Sequence, residues 1–136
     1  MMPDEKRTKV LIIDDNEVDR YTYRRYLEQA SSEYEVHEAE DGRTGLMLAE
    51  TVDPDCVLLD LRLHNQSGYE VLRELVGDDA PPKRPVIMLT VLAWDALQQG
   101  ARSLGATGYL VKGRTDAAAL DKAIRQAIGT NEKRAA

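Results

Sequence analysis

The sequence has very little of what several classes of protein require. It contains a single cysteine, Cys56, which excludes a disulfide framework and a cysteine-based metal site. One tryptophan, six tyrosines and no phenylalanine leave a core that must consist mainly of aliphatic side chains. Acids outnumber bases, and the net charge of −6 argues against a nucleic-acid partner, because neutralising phosphates requires a basic surface.

Long apolar runs are also missing. No stretch approaches the length of a membrane span, so no membrane partner is expected. The first residues lack the apolar region of a signal peptide, which makes a cytoplasmic protein the default expectation. The length of 136 residues suits one domain with one core and is too short for two.

Short apolar runs alternate with helical patterns five times along the chain. The strands are predicted at about 9–14, 34–39, 55–60, 85–90 and 107–111. Four of the runs are almost continuously apolar, which is typical of parallel strands covered on both faces. The second run alternates in polarity and is predicted to be an edge strand.

The helices are predicted between these strands. They are expected at about 16–30, 43–51, 68–76, 93–104 and 116–129, with a cap at Asp15 or Asn16 on the first. In that first helix, the apolar positions at helical spacing are Val18, Tyr21, Tyr26 and Leu27. The pattern predicts an α/β fold of the (βα)5 type, with helices on both faces of a doubly wound parallel five-stranded sheet. The domain is expected at 8–129, with short flexible termini at 1–7 and 130–136.

Polar side chains follow four of the predicted strands. Asp14 and Asp15 end the first strand, Asp60 ends the third, Thr90 ends the fourth, and Lys112 follows the fifth. Open α/β sheets bind their ligands at the carboxyl ends of the strands, so these groups are expected to meet. Three carboxylates at one place repel each other unless a cation relieves them, and Mg²⁺ is the cation best suited to oxygen ligands.

The same residue types can support phosphoryl transfer. An aspartate can act as a nucleophile that accepts a phosphoryl group as an acyl phosphate. An ammonium, a hydroxyl and a divalent cation are suited to binding the oxygens of the transferring group. Asp60, Lys112 and Thr90 are the candidates for these roles, with Asp60 as the acceptor.

These residues and their order resemble the receiver domains of two-component response regulators. The resemblance covers nearly the whole chain. It includes the acid pair Asp14 and Asp15, the acceptor Asp60, the switch hydroxyl of Thr90 and Lys112. Gly68 matches a glycine of the family, and Tyr109 matches its aromatic switch residue. It implies a flavodoxin-like fold with strand order 2-1-3-4-5. It also implies that a sensor histidine kinase or a histidine phosphotransfer protein donates the phosphoryl group to Asp60.

The resemblance assigns further roles at the same site. Asp15 and Asp60 would bind Mg²⁺ together with the carbonyl of Arg62, while Asp14 would act mostly through water. Lys112 and Thr90 would hold the phosphoryl oxygens. The protein would catalyse only its own phosphorylation and dephosphorylation.

Phosphorylation would also move two residues. Thr90 and Tyr109 would change position and reshape the surface around the fourth helix, the fifth strand and the fifth helix. That surface would contact a downstream protein whose identity the sequence does not reveal. Trp94, at the start of the fourth helix, is either a packing residue or an anchor on this surface.

The chain departs from the family pattern at three positions. His64 and Gly113 stand where prolines are usual, and Val91 stands where a small residue is usual. A cis bond costs far more before a non-proline residue than before proline. We therefore predict a trans Lys112–Gly113 bond with Gly113 at positive or otherwise unusual φ, since glycine adopts backbone angles barred to other residues.

Other functions remain to be weighed against a single-domain phospho-acceptor. The chain could be the excised receiver of a hybrid kinase or multidomain regulator, which the sequence does not separate from a stand-alone protein. A phosphohydrolase with an aspartyl nucleophile needs a second acid two residues later, and Arg62 occupies that position. A phosphorylation-independent interaction module usually lacks an acid, the acceptor or the lysine, and all are retained here.

Overall fold

A five-stranded parallel sheet forms the centre of the fold. The computed structural model describes residues 7–78 and 83–135. The strands are β1 (Thr8–Ile13), β2 (Tyr34–Ala39), β3 (Cys56–Leu59), β4 (Arg62–Leu63), β5 (Gln66–Ser67), β6 (Val86–Thr90) and β7 (Gly108–Val111). The sheet order is β2-β1-β3-β6-β7, while β4 and β5 form a separate antiparallel hairpin. Because the hairpin strands lie outside the sheet, this is the predicted order 2-1-3-4-5, and the predicted fold is confirmed.

In the described part of the chain, four helices connect strands of the sheet and a fifth follows the last strand. They are α1 (Glu17–Ala30), α2 (Gly42–Val52), α3 (Gly68–Val76), α4 (Asp95–Ser103) and α5 (Ala117–Ala135). The first three begin at polar caps, since the side chains of Asn16, Asp41 and Ser67 each accept a hydrogen bond from a backbone N–H of the first turn. Asn16, rather than Asp15, is therefore the cap of α1.

Side chains of the central strands alternate between two apolar layers. On β1, Leu11 and Ile13 pack with α2, α3 and α4, whereas Val10 and Ile12 pack with α1 and α5. The strands β3 and β6 alternate in the same way, because successive residues of a strand point to opposite faces. Both faces of the sheet are thus covered, which explains the continuous apolar runs in the sequence.

The predicted apolar face of α1 is partly wrong. Val18 and Tyr21 are 71% and 63% exposed, while Tyr23 and Leu27 are buried against α5. Val18 and Tyr21 lie on a different side of α1 from Tyr23 and Leu27, and their apolar or aromatic character alone did not distinguish the two sides. Tyr21 carries a hydroxyl that water can solvate, which makes its exposure inexpensive.

Two further features differ from the sequence prediction. The hairpin of β4 and β5 was not predicted, and α5 continues past Gly129 to Ala135 instead of fraying there. A glycine inside a helix costs only about 0.5–1 kcal/mol, and the following residues include the good helix formers Glu132 and Lys133. The predicted flexible ends at 1–6 and 136, and the middle of the loop before β6 at 79–82, lie outside the described residues.

Within the described part of the chain, every helix is too short or too polar to cross a bilayer.

Candidate functional site

The acid pair lies where β1 ends. Asp14 is buried, and its Oδ1 accepts a hydrogen bond from the Asn16 N–H at 2.9 Å. The Arg20 guanidinium of α1 donates to the Asp14 carbonyl at 2.6 Å, which fixes the backbone between β1 and α1. Asp15 is exposed at the same edge of the sheet. The pair therefore offers one buried and one solvent-facing carboxylate.

Asp60 lies beside this pair because β3 is the neighbour of β1. Its N–H donates to the Ile13 carbonyl at 3.0 Å, which extends the strand pairing by one residue. Its Oδ1 accepts from the Arg62 N–H at 3.2 Å, and its side chain is 10% exposed. One carboxylate oxygen from each of Asp14, Asp15 and Asp60 lies within 4.8 Å of the others. The structure thus brings together the three acids that the sequence singled out.

Lys112 supplies the positive charge at the centre of the site. Its Nζ lies 2.6 Å from Asp14 Oδ2, 2.7 Å from Asp19 Oδ2 and 2.9 Å from Asp60 Oδ2. The backbone N–H of Lys112 donates to the Thr90 carbonyl at 2.8 Å. The pairing of β7 with β6 therefore fixes the position of the Lys112 backbone. Only 7% of the side chain is exposed. The ammonium therefore uses all three of its donors on carboxylates.

The pKa shifts reflect this arrangement. Burial raises the pKa of Asp14 above its usual value, and the hydrogen bond from Lys112 opposes the rise. Burial by itself would lower the pKa of Lys112, but the hydrogen bonds to Asp14, Asp19 and Asp60 outweigh it, and the pKa is raised well above its usual value. The three carboxylates therefore favour the charged form of Lys112.

Sequence reasoning missed Asp19. It lies in the first turn of α1 and was not among the predicted site residues. A signal was nevertheless present, because Asp19, Tyr23 and Leu27 are spaced by four residues and share one helix face. Tyr23 and Leu27 are buried, so an acid on that face is expected to point toward the sheet.

The two predicted switch residues both bind the backbone of Leu92. Thr90 is fully buried, and its Oγ1 accepts from the Leu92 N–H at 3.4 Å. Tyr109 donates from its hydroxyl to the Leu92 carbonyl at 2.7 Å, and burial raises the pKa of Tyr109. A movement of either side chain would therefore release one end of the Leu92 residue.

The three departures from the family pattern lie around the site. His64 and Val91 line the open cleft of about 450 Å³ that also contains Asp60 and Lys112. Val91 is exposed at the rim, so its bulk leaves the cleft open. Gly113 has φ of 85°, as predicted, and its N–H donates to the Tyr23 hydroxyl at 3.3 Å. The trans geometry of the Lys112–Gly113 bond stays a prediction.

The donor set fits a hard divalent cation. Asp14, Asp15 and Asp60 offer carboxylate oxygens within 4.8 Å of one another, which are the ligands that Mg²⁺ prefers. Arg62, whose carbonyl is the remaining predicted ligand, lines the same cleft.

Gly68 packs directly against the backbone of Asp60 and Leu61. Its N–H donates to the Leu61 carbonyl at 2.7 Å, and a Cβ at this position would collide with the Asp60 carbonyl oxygen and lie 2.6 Å from Leu61 Cα. Both neighbours are backbone, so neither can turn away. We expect Gly68→Ala to lower the free energy of unfolding by about 1–3 kcal/mol, as overpacking does, measured by urea denaturation.

The matched control is Gly129→Ala. A Cβ at Gly129 would have no neighbour within 4 Å, and the residue lies inside α5. This substitution should raise the free energy of unfolding by about 0.5–1 kcal/mol, because alanine favours the helix more than glycine does. Equal effects of the two substitutions would show that the close approach at Gly68 does not constrain the loop after Asp60.

Comparisons with known proteins agree with this site. A family model described as the response regulator receiver domain matches residues 10–125. The chain is 34% identical over 104 residues to the polar-differentiation response regulator DivK of Brucella anthropi, covering 76% of this chain and 82% of that protein. It is 35% identical over 104 residues to the transcriptional regulatory protein YdfI of Bacillus subtilis, covering 76% of this chain but only 47% of that longer protein.

The fold has close counterparts among solved structures. The chemotaxis protein CheY4 of Vibrio cholerae superimposes with a TM-score of 0.78 at 29% identity, covering 89% of this chain and 98% of that one. The family model covers far more than half of the chain, and the fold and the acid pocket agree with it. The chain therefore belongs to the response regulator receiver domain family.

Proposed function

We propose that this domain accepts a phosphoryl group on Asp60 in a Mg²⁺-dependent reaction. The donor is a phosphohistidine of a sensor histidine kinase or of a histidine phosphotransfer protein. The observation that carries the proposal is the position of Asp60, whose carboxylate lies within 4.8 Å of Asp14 and Asp15 and 2.9 Å from the Lys112 ammonium. A nucleophile, two further acids and a fixed cation are thus present in one open cleft.

The transfer exchanges one bond to phosphorus for another. An oxygen of the Asp60 carboxylate bonds to phosphorus while the bond from phosphorus to the donor nitrogen breaks, and that electron pair stays on the imidazole. Lys112 would stabilise the negative charge on the phosphoryl oxygens. Asp15, Asp60 and the Arg62 carbonyl would hold the metal, with Asp14 acting mostly through water. Bound Mg²⁺ would neutralise charge on the phosphoryl oxygens and the carboxylates. The protein on this proposal catalyses only its own phosphorylation and dephosphorylation.

According to this proposal, a downstream protein binds the domain near α4. Thr90 and Tyr109 both hold Leu92, in the segment between β6 and α4. Trp94 follows in the same segment and is exposed, which suits an anchor at an interface. Phosphorylation would shift the population between two arrangements of this segment and so change what a downstream protein meets.

The proposal concerns the receiver domain itself. The chain spans about half of longer relatives such as YdfI and most of DivK. The residues proposed to carry the phosphoryl-acceptor chemistry all lie between 14 and 112, so the proposal is the same for a stand-alone regulator and for the receiver of a longer protein.

Incubation with acetyl phosphate tests the proposal, with intact mass as the measurement. We expect a single labile adduct in the presence of Mg²⁺ and none in EDTA, because the three acids repel an anionic donor without the metal. Steady hydrolysis of acetyl phosphate without an adduct would indicate a phosphohydrolase instead. Neither an adduct nor hydrolysis would indicate an interaction module that does not use phosphorylation.

A further inference from the structure

All three N–H donors of the Lys112 ammonium are used on carboxylates. Its three N–H groups are directed at Asp14, Asp19 and Asp60 at 2.6, 2.7 and 2.9 Å. Phosphorylation turns the Asp60 carboxylate into an acyl phosphate, and the bond that Asp60 accepts can pass to one phosphoryl oxygen. A second phosphoryl oxygen can be bound only if Asp14 or Asp19 leaves.

The two remaining carboxylates differ in how easily they can leave. Asp14 is 4% exposed, and leaving a buried charge without its partner is strongly unfavourable. Asp19 is 32% exposed and lines the cleft into which the phosphoryl group enters, so water can replace Lys112 as its partner. Its charge is also repelled by the doubly charged phosphoryl group.

The backbone around Lys112 does not need to move when Asp19 leaves. Tyr23 lies one turn after Asp19 on the same face of α1, and its hydroxyl accepts from the Gly113 N–H at 3.3 Å. This second contact keeps the β7–α5 loop on α1 while the lysine side chain turns from one acceptor to another.

We propose that Asp19 is a positioning residue that holds Lys112 in the unphosphorylated protein and competes with the phosphoryl group for it. The inference rests on the proposed function and adds a residue that sets how readily Asp60 is phosphorylated. Asp19 acts before and during transfer, and in the phosphorylated protein it no longer contacts Lys112. Removing it should therefore speed formation of the adduct and leave its decay unchanged.

The test compares Asp19→Asn with wild type, using acetyl phosphate, Mg²⁺ and intact mass. The asparagine keeps the size of the side chain and removes its charge. We expect about three- to fivefold faster adduct formation, the range that a partly exposed ion pair supports, and a decay rate within about twofold of wild type. Asp19→Glu restores the charge and should return formation toward the wild-type rate. A merely structural role would move both rates together.

Glu17→Gln is the matched control. Glu17 is exposed in the same first turn of α1, and it is not among the three carboxylates that contact Lys112. It should leave both rates unchanged, whereas an equal acceleration would attribute the effect to net charge and overturn the proposal. Formation by Asp19→Asn at or below the wild-type rate would also overturn it while leaving the proposed function intact. A wild-type protein that forms no adduct would overturn the proposed function and this inference with it.

Discussion

Replacing Asp60 with asparagine is expected to reduce phosphorylation by at least about a thousandfold, within the range that loss of a nucleophile costs. A carboxamide lacks the anionic oxygen that would attack phosphorus. The side chain keeps its size and can still accept from the Arg62 N–H, so the fold should be retained. Intact mass after incubation with acetyl phosphate and Mg²⁺ measures the loss, and circular dichroism verifies the fold.

The control for this substitution lies just before the same strand. Asp55→Asn changes an exposed aspartate whose Oδ2 accepts from the Lys9 N–H at 2.8 Å, at the end of the sheet opposite to the acid cluster. The Asp55→Asn variant should accept a phosphoryl group at the wild-type rate. Uptake of a phosphoryl group by Asp60→Asn at the wild-type rate would mean that another residue is the acceptor.

Replacing Lys112 with methionine is expected to have the second-largest effect. The substitution removes the cation that contacts three carboxylates, two of which are 4% and 10% exposed. Removing one partner of a buried pair leaves an uncompensated charge, so the free energy of unfolding should fall by about 3 kcal/mol. Adduct formation should fall by about a hundredfold, because one electrostatic contact to the phosphoryl oxygens is lost.

The pH dependence of the Lys112→Met variant follows from Asp14. Burial already raises the pKa of Asp14, and the hydrogen bond from Lys112 that opposes the rise would be absent. A carboxyl group with a higher pKa in the folded state binds protons on folding, so stability increases as the pH falls. The deficit relative to wild type should therefore shrink between about pH 7 and pH 5.

Urea denaturation across that range, with and without Mg²⁺, measures the effect. Mg²⁺ should stabilise the variant more than the wild type, since the metal no longer competes with an ammonium for the carboxylates. Lys122→Met removes the same charge from an exposed position on α5 and should behave as wild type. A Lys112→Met variant as stable as this control would show that the three contacts add no net stability.

Much of the site could be predicted because a parallel sheet brings the carboxyl ends of its strands to one edge. Asp14, Asp15, Asp60 and Lys112 directly follow apolar runs, so the order of the strands was enough to place them together. The positive φ of Gly113 was also predictable, since glycine tolerates that conformation where proline is absent.

Contacts made by helix side chains were harder to predict. The position of Asp19 depends on which face of α1 is buried, and the exposed Val18 and Tyr21 gave a misleading pattern. The hairpin of β4 and β5 has only two residues in each strand, too few for an alternating pattern to appear. Both features are determined by tertiary packing more than by local sequence.

The contact between Lys112 and Asp14 has a consequence for biosynthesis. Asp14 and Lys112 touch at 2.6 Å although 98 positions separate them in the chain. The ribosome builds the protein from its amino end, so a nascent chain carries all three acids well before it carries their counter-charge. Until β7 and the residue after it have left the exit tunnel, these acids cannot assemble around the lysine that neutralises them in the folded domain. The charge-balanced site therefore forms late in translation, when almost the whole domain is available to fold.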